Sequence, residues 1–356
     1  IQLNVSVLLP FRSKTVNYDS IWEVESLFED RNLYTITLDF YSGILYAIED
    51  LKELNISVNL NVFDTENSLN KLNDISSDDL IRNSDVIIGP LIPRNFETFS
   101  NIELLESIPK VFPLSTIPIK IIKGVIQSVT PKKILRDRMI NYLDENLDRE
   151  DNIVIIADSL NNEIDSKLSE IFPNSIKIKP EFEGYILPEL LDSLLVDSLP
   201  NKVIVESEIF TLISSVISQL NSQITSEREV KLFTTYRGNQ YDDPSINIKY
   251  LGNLAFTYTS ISKKLNNDSI SKFESRYLNL FGSLPNKDVI RGYDVTKDIL
   301  LRVLIDKNLN RTTKYEEQSY IESKFLYKKD TLGGLFNSSM FILRHREYDI
   351  EEIIEQ

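Results

Sequence analysis

SDVIIGPLIPRN, residues Ser84 to Asn95, is the stretch on which the reading of this chain turns. Val86, Ile87 and Ile88 form a short apolar run with no polar alternation. A strand of that kind belongs inside a parallel sheet that is covered on both faces. Gly89-Pro90 then stops the run, because neither residue continues a strand ladder. Arg94 and Asn95 open a polar segment directly above the stop. One explanation is that the strand's carboxyl end forms the floor of a binding site; the other is a plain turn.

The same grammar extends in both directions. Residues 3–11, LNVSVLLPF, read as a buried strand, and 56–63 as an alternating one. Between them, Phe40, Ile44, Ala47, Ile48 and Leu51 share one face, which predicts a helix over 39–54 capped by Thr37 or Asp39. Residues 12–38 form a long insertion, and SIWEVESLFEDRNL within it suits a short helix. Beyond Val86, a helix at 96–107 and a strand at 110–114 follow. After the extended stretch 126–130 the series restarts. Helices are expected at 134–147 (behind Pro131), 161–171, 187–195, 208–220, 268–281 and 287–305. Strands are expected at 152–157, 175–179, 202–205, 230–234 and 341–344, with a second extended stretch at 253–259. Strand–helix alternation implies crossovers and parallel sheets, and the restart implies two similar α/β lobes.

Composition narrows the function. The chain has 356 residues, enough for two lobes, and a net charge of −15. That charge repels phosphate backbones and anionic surfaces and argues against nucleic-acid partners. There is no cysteine, which excludes disulfides, thiolate catalysis and cysteine metal sites. With 10 glycines and no glycine-rich phosphate loop, a nucleotide cofactor is disfavoured, and no cofactor is implied. No apolar run approaches the length of a membrane span. The chain opens on Ile1, so an upstream signal peptide, lipid anchor or further domain is expected.

In order along the chain, LNVSVLLPF, DFYSGILYAIEDL, NVFDTENS, SDVIIGPLIPRN, IPKVFPLST and RGYDVTKDILL resemble the type I periplasmic-binding-protein fold over nearly the whole length. In architecture the chain is similar to the branched-chain amino-acid-binding branch. In wording it is nearer to bacterial envelope members linked to peptidoglycan-binding LysM domains, and to the lipoproteins that activate penicillin-binding proteins. The resemblance implies two doubly wound parallel-sheet lobes joined by three crossovers, near 125–130, 255–258 and 326–335. It places 1–126 with 258–328 in lobe 1, and 127–257 with 329–356 in lobe 2. It also implies a small solute held between the lobes, or an envelope protein as partner, with peptidoglycan reached through an upstream domain. The location implied is the periplasm or cell envelope, as an anchored lipoprotein or free.

Site candidates follow from that frame. Ser115 and Thr116 match the family's carboxylate-binding position, or they close their own turn. Pro93 stands where amino-acid binders commonly carry serine and offers neither hydroxyl nor N–H, which counts against amino-acid binding. Arg94 and Asn95 are the substitutes as anion and amide partners, or a solvated loop. Asn161, Glu206 and Tyr236 fall at the ends of second-lobe strands; Glu206 suits a ligand amine and Tyr236 an apolar group, although each also suits a cap. The family's aromatic residue after the first of these strands is missing. His345 is the only histidine, and its neighbours Arg344 and Arg346 are expected to depress its protonation. Glu206 and Glu208 would share a strand face as a carboxylate pair, and Asp64, Glu66 and Asn67 offer oxygens to Ca²⁺ or cap a helix. A non-catalytic binding module is expected, with an interaction module whose pocket has degenerated as the alternative.

Overall fold

A computed structural model describes residues 2–180, 184–263, 271–307 and 309–354. The chain divides into two compact units, Ile1–Pro131 with Asn267–Ser339, and Lys132–Asn266 with Met340–Gln356.

The first unit is built on β1 (Gln2–Leu9), β2 (Ser57–Asp64), β3 (Val86–Ile88), β4 (Lys110–Phe112) and β5 (Val125–Gln127). Its helices are α1 (Ile21–Ser26), α2 (Leu33–Glu53), α3 (Leu69–Ser76), α4 (Asp79–Arg82) and α5 (Pro93–Ser100). The second unit follows with β6 (Asn152–Ala157), β7 (Ile176–Ile178), β8 (Asn201–Glu206), β9 (Val230–Phe233) and β10 (Thr257–Ser260). Around these lie α6 (Lys132–Asn146), α7 (Asn162–Ile171), α8 (Pro188–Leu194), α9 (Phe210–Ser222) and α10 (Ile248–Asn253). The chain then returns to the first unit through α11 (Lys272–Phe281) and α12 (Lys287–Ile305). A two-stranded ribbon, β11 (Gln318–Ser319) and β12 (Lys324–Phe325), precedes β13 (Tyr327–Lys329) and β14 (Leu335–Asn337). β15 (Phe341–Arg346) and β16 (Asp349–Glu352) close the second unit.

Each unit holds one seven-stranded sheet, in the orders β13-β14-β5-β4-β3-β1-β2 and β16-β15-β10-β9-β8-β6-β7. Pairing is parallel except where β13 meets β14, β15 meets β10 and β16 meets β15. The chain passes to the second sheet after β5, returns after β10 and passes again after β14. β10 therefore belongs to the second sheet, and β13–β14 to the first, so both later passages lie beyond the positions expected from sequence.

Strand parity explains the two layers on each sheet. In β1, Leu3, Val5, Val7 and Leu9 pack with Phe40 and Ile44 of α2 and Val295 and Ile299 of α12. Leu8 points the other way, toward Leu72, Ile81 and Phe99. In the second sheet, Val154 and Ile156 face Leu191, Leu212 and Val216, while Ile153 and Ile155 face Met139, Leu143 and Leu168. Burial on both faces is the reason these strands read as unbroken apolar runs.

Several elements start elsewhere than the periodicity suggests. α2 begins at Leu33, because Asn32 accepts hydrogen bonds from the N–H groups of Tyr34 and Thr35 and Thr35 answers in a capping box. The apolar stripe marks only where burial begins. α5 starts at Pro93, which occupies a first-turn position where a missing N–H costs nothing, and it ends at Ser100. α9 starts at Phe210, since the Ser207 hydroxyl takes the Ile209 N–H. The expected start of α11 at 268 lies outside the described residues; Ser271 caps the observed helix. Residues 253–259 are not one extended run, because α10 reaches Asn253 and Ala255 has φ 45° before β10.

Two glycine contacts fix the first unit. A Cβ at Gly43 of α2 would lie 2.0 Å from the Val289 carbonyl oxygen, and one at Gly292 of α12 would lie 2.2 Å from that of Phe40. The two helix backbones therefore touch. Gly89, which ends β3, has φ +93°, and its added Cβ would stand 2.3 Å from the Leu8 carbonyl oxygen. Gly43→Val or Gly89→Val should destabilise the protein by about 3 kcal/mol or more in chemical denaturation. Gly282→Asn, at an open left-handed helix end, should cost less than about 1 kcal/mol. Equal losses in all three would refute the close-contact account.

Candidate functional site

Ligands of open α/β sheets sit at the carboxyl ends of the strands. At that edge of the first sheet, a cavity of about 430 Å³ is lined by Asn67, Ser68, Asn70, Ile92, Arg94 and Asn95. It brings together the segments after β2 and β3. Asn95 is buried, and its Nδ2 donates to the Asn67 Oδ1 at 2.7 Å. Asn67 reaches that position through a left-handed backbone, φ 54°. Arg94 is exposed at the rim, and no partner for its guanidinium is found among the described residues. α5 has no side-chain cap, so the N–H groups of Arg94 and Asn95 are also available. The cavity thus offers a cation, open helix donors and a fixed amide, a set suited to an anionic or carboxylate group.

Ser115 and Thr116 lie on the loop between β4 and β5, apart from the residues lining that cavity. The Ser115 hydroxyl accepts from the Ile117 N–H at 3.1 Å, closing its own turn, and its carbonyl accepts from Gln127 at 3.0 Å. Asp64 serves the backbone: its carboxylate accepts from the N–H groups of Arg12, Ser13 and Glu66. Burial works against its ionisation, but these bonds prevail and hold its pKa below the usual carboxylate value. Among the described residues, no cluster of His, Cys, Asp and Glu is built to hold a metal ion.

The corresponding edge of the second sheet is filled. Glu206, 1% exposed, accepts from the Thr235 N–H at 2.5 Å, the Thr235 hydroxyl at 2.8 Å and the Thr234 hydroxyl at 3.4 Å. The Arg136 guanidinium lies 3.4 Å from the same carboxylate. Burial pushes the Glu206 pKa up, while Arg136 and the threonine donors pull against it. Arg136 also donates to the Asn161 Oδ1 at 3.0 Å, and Asn161 in turn bonds Asp158. Tyr236 completes the group, with Lys132 Nζ 4.3 Å above its ring and Arg136 at 5.9 Å. Asn161, Glu206 and Tyr236 therefore converge on Arg136, which the sequence reading missed. Its signal was an arginine beside Leu135, Met139 and Ile140 on an apolar helix face. Glu206 and Glu208 do not share a face. β8 ends at Glu206, and Glu208 turns outward to pair with Lys132.

His345 is held neutral by burial first and by Arg237 second. Arg344 and Arg346 are not the cause, because neighbours on a strand project to the opposite face, where both meet Glu351. The imidazole packs on Phe256 and Tyr258, and its pKa falls to about 4.

Glu206→Ala leaves the Arg136 charge buried without its partner and should cost about 3–5 kcal/mol, whereas Tyr236→Ala should cost about 1 kcal/mol. Urea unfolding of both variants would separate them, and equal small losses would refute the buried-pair account. For His345 the folded pKa lies below the unfolded 6.5, so the unfolded chain binds the extra proton. The stabilisation is then complete above pH 6.5 and is lost as pH falls toward 4. Wild type should lose about 3 kcal/mol relative to His345→Phe across that window. The single imidazole NMR signal should titrate near pH 4; a midpoint near 6.5 would refute the assignment.

No protein-family model and no curated protein sequence matches the chain. Solved structures do. A Rhodospirillum rubrum structure described as a branched-chain amino acid ABC transporter covers 99% of this chain and 100% of its own, at TM-score 0.68 and 10% identity. An ABC transporter substrate-binding protein of Desulfitobacterium hafniense, in complex with Leu, covers 99% and 100% at TM-score 0.56 and 14% identity. Full-length LpoA of Haemophilus influenzae matches all of this chain over 60% of its own length, at TM-score 0.59 and 12% identity. Two mostly parallel seven-stranded sheets, entered and re-entered in this order, give the chain the fold of the type I periplasmic-binding proteins.

Proposed function

We propose that this chain is a non-catalytic binding module of the cell envelope that takes a small solute carrying a carboxylate or similar anion, amino-acid-like or derived from the cell wall. The cavity at the carboxyl edge of the first sheet carries this reading. Arg94 supplies a cation with no partner found among the described residues, the start of α5 supplies free N–H groups, and the Asn67–Asn95 pair fixes the wall. Pro93 removes a donor only at the first-turn position, and Arg94 replaces a hydroxyl by a full charge. The D. hafniense structure, which has the same fold, holds leucine. The non-catalytic part rests on the second unit: Glu206 and His345 are both buried away from solvent, so neither is placed as an acid or base.

A second reading is an envelope protein-interaction module that regulates cell-wall synthesis. The Glu206–Arg136–Asn161 set favours it, because a strand edge filled by its own side chains leaves few donors for a solute, the buried Arg136 Nε among them. LpoA, with the same fold, is the structural parallel. Either role is consistent with a periplasmic or envelope location, and an upstream lipid anchor or peptidoglycan-binding domain would extend it. Among the described residues, no helix is long and apolar enough to cross a membrane.

Thermal-shift and calorimetric titrations with amino acids, short peptides and muropeptides test the first reading. A true ligand at 100 times its Kd should add about 2.7 kcal/mol of stability. Arg94→Ala should weaken binding by about tenfold or more and leave the unliganded melting temperature unchanged, since the guanidinium bonds nothing among the described residues. No stabilising solute, or an Arg94→Ala variant that binds normally, would reject it. Capture of a purified wall synthase by the ligand-insensitive chain would favour the second.

A further inference from the structure

The insertion at 12–32 is pinned at both ends. At its root, the Asp64 carboxylate takes the N–H groups of Arg12 and Ser13 at 2.9 Å each and the Ser13 hydroxyl at 2.8 Å. At its exit, Arg31 donates twice to Asp288, at 2.9 and 3.0 Å, and the Asn32 side chain ties back to the Leu27 carbonyl at 2.7 Å. The hydroxyls of Thr15 and Tyr34 close the middle at 2.6 Å. Yet α1, carried by this segment, buries none of its residues. The backbone is fixed while its apolar side chains are left uncovered.

Beneath the segment lies a second cavity of about 380 Å³, walled by Phe11, Val16, Val24, Leu27, Tyr34 and Leu38. Tyr18 and Phe28 also line it, while Ile21 and Trp22 stand on α1 beside Val24. These four side chains are 54–75% exposed. Exposed apolar residues scattered singly are ordinary. Two at the mouth of an apolar hollow and two more on the helix that walls it, Trp and Tyr among the four, have the composition of an interface centre. The rim is mainly acidic: Asp19, Glu23, Glu25, Glu29 and Asp30 are all exposed, and no Lys or Arg lies between Tyr18 and Asp30, while the flanking cations are engaged, Lys14 with Glu66, Arg31 with Asp288 and Arg12 over the Tyr34 ring. None of these carboxylates meets a cation among the described residues.

We propose that this groove docks a basic amphipathic segment of a partner protein, whose apolar side chains enter the hollow while its Lys and Arg residues meet the acidic rim. Charge selects this occupant. A second copy of the chain would bring two acidic rims face to face, and an anionic bilayer would be repelled by both the rim and the net charge of −15. The site is independent of the cavity at Arg94, so either can fail without the other.

Trp22 is the only tryptophan in the chain, so its emission reports α1, the helix that supplies Val24 to the groove wall. The probe is a helical peptide free of Trp and Tyr, with Leu at i, i+3, i+4 and i+7 and Lys elsewhere; its twin carries Glu for every Lys. The full chain is titrated with each. The Lys peptide should blue-shift Trp22 emission and protect it from acrylamide with a micromolar Kd, and the Glu peptide should do neither. Phe28→Ser should weaken binding by about tenfold or more, as should Glu25→Lys combined with Glu29→Lys. Raising salt from about 0.05 to about 0.5 M should weaken it several-fold. All these side chains are exposed, so the variants should keep the wild-type melting temperature. Equal binding of both peptides would show a non-selective apolar patch and overturn the proposal. So would a shift that appears without peptide as a dimer forms, a shift produced by phosphatidylglycerol vesicles but not by the Lys peptide, or no shift with any of them.

Discussion

The backbone contact between α2 and α12 at Gly43 and Gly292 holds the first unit together across an interruption. The second unit is inserted after residue 131, so the chain must return to the first sheet more than a hundred residues later. It returns through α11 and α12, and α12 lies so close to α2 that neither crossing position has room for a Cβ. Val295 and Ile299 are thereby pressed onto β1 beside Phe40 and Ile44. A buried ion pair and a buried carboxylate support the same helix: Asp298 and Arg302 bond at 2.9 Å, and the Asp294 carboxylate accepts the N–H groups of Ile321 and Glu322. α12 thus positions the later strands of the first sheet as well as covering its earlier ones.

That scaffold sets the two carboxyl edges in contrasting states. In the first unit, tight packing stops at Gly89, whose backbone lies against β1, and the chain above it opens into a cavity whose Arg94 guanidinium meets no partner among the described residues. In the second unit, the corresponding ground is occupied by Glu206, Arg136, Asn161 and Asp158, which bond one another and leave the buried Arg136 Nε without a partner among the described residues. A buried carboxylate requires such partners, since desolvation would otherwise drive it to bind a proton. Once they are supplied from within the chain, they are no longer available to a solute. The open edge and the closed edge therefore differ in the donors they leave exposed to a solute.

Much of the fold was legible because burial on both faces of a parallel sheet leaves an unmistakable trace. VII, NIVIIA and KVIV each became central strands, and the stripe in α12 gave its bounds to the residue. Capped ends were less legible. Asn32 starts α2 through hydrogen bonds that leave no apolar signature, so the apolar stripe begins at Phe40, well after the helix start at Leu33. The candidate site was legible only in part. Arg94 and Asn95 line one cavity and Asn161, Glu206 and Tyr236 meet around one arginine, but Ser115 and Thr116 lie on a separate turn. Arg136 escaped notice because its partner is remote in sequence.

By itself, the sequence determined the layered α/β architecture, the two-part plan and the absence of thiol or glycine-loop chemistry. All of these follow from local periodicity and from residue types present or missing. Only the tertiary structure decided which polar groups were left over. Whether Glu206 faces a ligand or an arginine, whether His345 feels Arg344 or Arg237, and whether residues 18–30 fold inward or stand open to solvent depend on contacts between distant parts of the chain. A side chain's chemistry is fixed by its type, but its availability depends on which neighbours reach it first.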